Sequence, residues 1–164
     1  MKKRILFLVL SVAAAGVIFF FSAQPGAASA EESSSIAGFF QKVFYSSWES
    51  LPEDIFELRM SGLNTVIRKV GHFTVFLVLA LALGGFYSTF RITTVKQFLL
   101  TFVTGSLYGV FDEIHQGFVP NRDMAVFDML VDAAGVLFGC FTVFFVILFI
   151  HEKRNKKGLT ASAD

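Results

Sequence analysis

The sequence predicts an all-α protein, an integral membrane four-helix bundle with an outer loop containing one or two short amphipathic helices. Three observations carry that expectation. The 164 residues are 54% hydrophobic and 16% charged, with mean hydropathy +0.65, whereas a soluble domain carries roughly 25% charged residues. Four uncharged apolar stretches come close to the roughly 20 helical residues that cross a hydrocarbon core, and none alternates with the period of a barrel strand. If all four are crossed, nine of the 14 Lys and Arg residues collect on one side. Other classes are excluded early. Cys140 is the only cysteine and lies in an apolar run, so there is no disulfide framework or Cys-based zinc module. Abundant Phe with only 3 Pro argues against disorder, and a net charge of +1 against a nucleic-acid partner.

The first span, about residues 5–21, follows Lys2, Lys3 and Arg4. Ala28-Ser29-Ala30 ahead of Glu31 resembles a signal-cleavage site, but the apolar run is close to a spanning length, so a retained helix is expected. The outer loop, 22–69, has structure of its own. Ile36, Phe39, Phe40, Val43, Phe44 and Trp48 recur at three and four, the stripe of an amphipathic helix over 36–48 that faces lipid or the bundle. Ser50 and Glu53, with Pro52 between them, form the pattern of a capping box for a second short helix over about 51–60. The second span covers 72–90, the third 97–114 and the fourth 128–150, with Arg91 and Lys96 between the second and third. Residues 1–152 read as one transmembrane domain and 153–164 as a basic tail with Lys153, Arg154, Lys156 and Lys157. By the positive-inside rule both termini are cytoplasmic.

Ionisable residues at membrane depth are costly and usually mark function. Counted along the helices at about 1.5 Å per residue, they gather at one outer depth. Ser22 and Gln24 close the first span, Lys69 and His72 open the second, Asp112, Glu113, His115 and Gln116 end the third, and Asp128 and Asp132 open the fourth. Asp112, His115 and Gln116 share a face if the third helix continues, as do Asp128 and Asp132. Phe118-Val119-Pro120-Asn121-Arg122 reads as a turn that brings Arg122 to one of the carboxylates. His72, Asp112, Glu113 and His115 are the candidates for chemistry. Ser22, Gln24, Lys69, Gln116, Arg122, Asp128 and Asp132 are candidates for binding. Three readings stay open: a divalent metal held by carboxylates and His, metal-free acid–base work, and a buried network that only pins helices together.

Phe21-Ser22-Ala23-Gln24-Pro25, Arg68-Lys69-Val70-Gly71-His72-Phe73, and Asp112-Glu113-Ile114-His115-Gln116-Gly117-Phe118-Val119-Pro120-Asn121-Arg122 with Asp128, Asp132 and Gly135 resemble the VanZ-like family. The Asp-Glu-x-His-Gln element with the following Val-Pro-x-Arg is the specific part; Asn121 stands where Gly is common. The resemblance implies a small bacterial membrane protein linked to resistance to teicoplanin-like glycopeptides or to envelope function. A first hypothesis is a non-enzymatic protein whose outer layer binds a lipid head group, a drug or a lipid-linked wall precursor. A second is an outer-leaflet enzyme, metal-assisted or not, hydrolysing or transferring a phosphate or acyl group. No Gly-x-Ser-x-Gly or His-Glu-x-x-His motif is present, and no polar residue at mid-span suggests a transport path.

Overall fold

The computed structural model describes residues 1–160, with side chains through Lys153. Apart from Lys153, the side chains of the expected basic tail therefore lie outside the described residues. The described chain is helical throughout its regular structure. It runs α1 (Lys2–Ser22), α2 (Gly26–Phe44), a 3-10 turn (Ser46–Ser50), α3 (Glu53–Tyr87), α4 (Thr94–Gln116) and α5 (Val126–Thr160).

Among the described residues, α1, α3 and α5 are long and apolar enough to cross a membrane, and α4 is not. The sequence reading counted a fourth span there. Lys96 and Gln97 at one end of α4, Asp112 and Glu113 at the other, and Thr101, Thr104, Ser106 and Tyr108 between them dilute its apolar run. It is nevertheless longer than α1 and packs against both α3 and α5.

The segment expected as an outer loop is mostly helix. Pro25, with φ −53° and ψ 147°, stands at the N-cap of α2, and the Ala-, Ser- and Glu-rich stretch behind it carries the helix ten residues further upstream than the Phe stripe indicated. The same helix stops at Phe44, leaving Trp48 in the 3-10 turn, where it stacks on Tyr45 at 4.6 Å. The capping box does not form. Ser50 Oγ donates to the Ser47 carbonyl at 2.8 Å, no side chain caps α3, and Pro52 takes the N-cap position. The expected short helix is instead the first part of α3. At about 1.5 Å per residue, 35 residues rise about 52 Å against a hydrocarbon core of about 30 Å. The Glu53–Lys69 end therefore reaches beyond a bilayer core, and α2 folds back on it, with Asn64 Nδ2 donating to Ser34 Oγ at 2.8 Å. Ala37 and Gln41 form the buried side of α2. Phe39, Val43 and Phe44 are 63%, 55% and 66% exposed. The Phe39, Val43 and Phe44 part of the stripe thus faces outward, while Ile36 at its start borders a cavity with residues of α1 and α3.

Small residues set how closely the long helices approach. A Cβ at Gly135 of α5 would stand 2.3 Å from the Phe73 carbonyl of α3, and one at Gly139 would stand 2.6 Å from Ala80 Cβ. Around this seam Ile18, Phe76, Leu79, Ala80, Val136 and Cys140 form the core. α1 is tied at both ends. Arg4 donates from Nη2 to the Thr89 carbonyl at 3.1 Å, and Ser22, at the far end, reaches Asp112. Between them the Tyr108 hydroxyl donates to the Ala15 carbonyl at 2.6 Å. α1 and α3 therefore run antiparallel, and the turn at 88–93 lies at the end opposite the polar residues.

Candidate functional site

Each helix brings its polar residues to the same end for a local reason. α4 continues past Glu113 to Gln116, which puts Asp112 and Gln116 one turn apart on one face. Gln116 Nε2 donates to Asp112 Oδ2 at 2.8 Å, and Ser22 Oγ donates to the same oxygen at 2.7 Å. Glu113, the next residue of α4, accepts from the Ala125 backbone N–H at Oε2, 3.0 Å away. That contact comes from the extended residues between the 117–122 turn and α5. Asp132 sits nearly two turns into α5, over Gly109, where an added Cβ would stand 3.1 Å from Asp132 Cβ. His72 Nδ1 lies 3.2 Å from Asp132 Oδ1.

These contacts leave a pattern. His72, Asp112, Glu113 and Asp132 each offer one ligand-type atom, and the four atoms lie within 4.8 Å of one another. The three carboxylates are at most 1% exposed. In each, one oxygen is held by a partner and the other, Asp112 Oδ1, Glu113 Oε1 or Asp132 Oδ2, has no hydrogen-bond partner. Buried polar atoms are normally satisfied, and here three carboxylate oxygens of one group have no partner among the described residues. His72 with the three carboxylates could hold a cation.

A cavity of about 190 Å³ opens beside the group. Ser22, His72, Asp112, Arg68 and Arg122 line it together with Ile18, Phe21, Ile36, Ile67, Val75 and Phe76. A second space of about 210 Å³, on the other side of Arg68, His72 and Arg122, is bordered by Gln116, Asp123 and Asp128. Arg122 lies in the turn outside the helices, and burial and then the nearby Arg68 guanidinium push its pKa below the usual arginine value. Among the described residues neither arginine has a carboxylate within ion-pair distance.

The sequence-derived site residues divide accordingly. His72, Asp112, Glu113 and Asp132 come together, with Ser22 and Gln116 on Asp112. Lys69 pairs with Asp128 beside them, so Asp128 does not join the four. Gln24 lines the cavity, and its Oε1 has no partner. His115 faces elsewhere, its ring stacked on Phe19 at 4.5 Å. Arg122 meets no carboxylate; its Nη2 donates to the Phe21 carbonyl at 3.2 Å. The reason is the turn itself. Asn121 adopts φ 58°, and Gly26 N donates to the Pro120 carbonyl at 3.1 Å, which draws the turn toward the α1–α2 junction. Gly26 is necessary there, since a Cβ would fall 1.9 Å from the Asn121 carbonyl oxygen.

Sequence reasoning missed Arg68 and the α2 residues Ser29, Glu32 and Ser33 of the cavity wall. Arg68 sits next to Lys69 in a quoted motif, and that adjacency was the available signal. Nothing in the spacing of α2 pointed to its wall.

Residues 7–149 match the model of the VanZ/LLP1 family. No curated protein and no solved structure matches the chain.

Proposed function

The chain belongs to the VanZ/LLP1 family, and on that premise we propose that it acts at the outer face of the bacterial cell membrane, binding the anionic head group of a lipid or a lipid-linked wall precursor between Arg68 and Arg122. Its role would be in envelope maintenance or resistance to teicoplanin-like glycopeptides. In this reading α1, α3, α4 and α5 all cross the bilayer, residues 1–152 are one unit, and both termini and the basic 153–164 tail are cytoplasmic. The basic residues at 2–4, 91 and 96 on the side away from the cavity support that orientation.

The observation that carries the reading is the cavity. Arg68 and Arg122 share it with Glu32 and Asp112, neither arginine within ion-pair distance of a described carboxylate, beside the apolar Ile18, Ile67, Val75 and Phe76. A phosphate matches the fork of an arginine in geometry and charge, and an acyl or prenyl tail matches the apolar residues. The outward Phe stripe of α2 would rest on the lipid interface and hold that wall in place. The test is protection of a teicoplanin-sensitive bacterium by the expressed chain. The double variant Arg68→Ala/Arg122→Ala should fall to the level of empty vector while remaining at wild-type amount in the membrane. Full protection by the double variant would overturn the assignment.

A further inference from the structure

We propose that His72, Asp112, Glu113 and Asp132 form a binding site for one divalent cation of the Mn²⁺/Zn²⁺ class. The inference goes beyond the anion reading and stands whether or not that reading holds.

Geometry comes first. Opposite ligands around one such ion stand about 4.0–4.4 Å apart, and around Ca²⁺ about 4.6–5.2 Å. A group whose four ligand-type atoms all fall within 4.8 Å of one another is therefore already close to the size of a coordination shell.

Charge comes second. Three carboxylates, each at most 1% exposed, face one another, and His72 is the one basic side chain in the group. Among the described residues no Lys or Arg lies within 4.0 Å of Asp112, Glu113 or Asp132, and Lys69 is taken up by Asp128. Buried carboxylates without compensating positive charge are costly, and here one imidazole, on Asp132, serves a group of three.

The third observation is independent of both. Each carboxylate has one oxygen oriented by a separate element and the other left without a partner. Ser22 of α1 and Gln116 of α4 hold Asp112 Oδ2, the Ala125 N–H holds Glu113 Oε2, and His72 of α3 holds Asp132 Oδ1. The orphans are Asp112 Oδ1, Glu113 Oε1 and Asp132 Oδ2. Metal-binding carboxylates are oriented in this way, one oxygen fixed by outer hydrogen bonds and the other presented to the ion. The donor set of oxygens and one imidazole nitrogen, with no thiolate, selects a hard-to-borderline ion over a soft one.

The test uses the full chain, purified, stripped with chelator and reconstituted in nanodiscs of neutral lipid, with Mn²⁺ followed by electron paramagnetic resonance and Zn²⁺ by competition. No anionic lipid is present, so the readout is separate from the cavity's ligand. The expected result is one Mn²⁺ per chain, displaced by Zn²⁺. Asp112→Asn and Asp132→Asn, which keep side-chain volume, should each weaken binding at least about 100-fold. Ser22→Ala, which only releases the orientation of Asp112, should weaken it about 10-fold. Added metal should raise the melting temperature of the wild type and not of the Asn variants. Stripped wild type of native helix content that binds neither ion would overturn the proposal, as would Asn variants that bind like wild type. Should the Asn variants fail to fold, unchanged affinity in Ser22→Ala overturns it.

Discussion

Gly135→Ala adds one methyl group where α5 crosses α3, immediately beneath the polar group. The new Cβ would stand 2.3 Å from the Phe73 carbonyl oxygen, where carbon and oxygen ordinarily approach no closer than about 3.3 Å. The obstacle is helix backbone, so relief requires the two helices to part by about 1 Å. Overpacking of this kind costs about 1–3 kcal/mol, and at this chain length each kcal/mol is about 2–4 °C of melting temperature. The expected loss is thus about 2–12 °C. The consequence for the site follows from position. His72 adjoins Phe73 and Asp132 lies one turn before Gly135, so their 3.2 Å contact should open beyond hydrogen-bond range. Gly62 provides the control, being a helical glycine of α3 with no atom near its added Cβ; Gly62→Ala should gain up to about 1 kcal/mol from helix propensity. The assay is thermal unfolding of purified protein followed by circular dichroism. Gly135→Ala melting at or above wild type would refute the close-packed seam and the placement of His72 that depends on it.

Removing the Ser22 hydroxyl takes away one of two donors on a buried carboxylate, so Ser22→Ala should destabilise the protein by about 1–3 kcal/mol; an unchanged melting temperature would count against the Ser22–Asp112 contact. Asn121 holds φ 58°, so Asn121→Val should cost about 1–2 kcal/mol while Asn121→Gly is close to neutral, and equal stability of the two would argue for a different turn. In a Cys140→Ala background, Asp123→Cys should react with an impermeant thiol reagent in intact cells and Lys96→Cys should not. Matching reactivity at both sites would mean that α4 does not cross the bilayer.

Much of the polar layer was legible because depth can be counted from uncharged runs. Ser22, His72, Asp112 and Asp132 each end or open such a run, and a helix leaves little freedom in where they emerge. Their mutual facing was less legible, since it depends on the rotation of each helix. Gly109 and Gly135 fix that rotation through close approach, and a lone glycine in an apolar run gives no direction. His115 was misjudged for the same reason. Three residues from Asp112 is near enough to share a broad face, yet far enough round for its ring to lie on Phe19. Segment 22–69 is hard to read because its Phe stripe does not mark the limits of the helix: Phe39, Val43 and Phe44 are the outward side of α2, and the buried side is the inconspicuous Ala37 and Gln41. The helix expected as the third span, α4, also illustrates a conflict between levels. α4 carries Thr101, Ser106, Tyr108, Asp112 and Glu113 because it packs among helices, and the same residues lower its apolarity below that of α1, α3 and α5.

The central claim, an anion site between Arg68 and Arg122, is tested most directly by lipid occupancy. The wild-type chain, reconstituted with equal phosphatidylglycerol and phosphatidylcholine and released into the gas phase for native mass spectrometry, should retain one phosphatidylglycerol in preference to phosphatidylcholine. Arg68→Ala/Arg122→Ala should lose that preference by at least about tenfold, equivalent to about 1.4 kcal/mol. Equal retention of the two lipids by wild type, or the same preference in the double variant, would contradict the account.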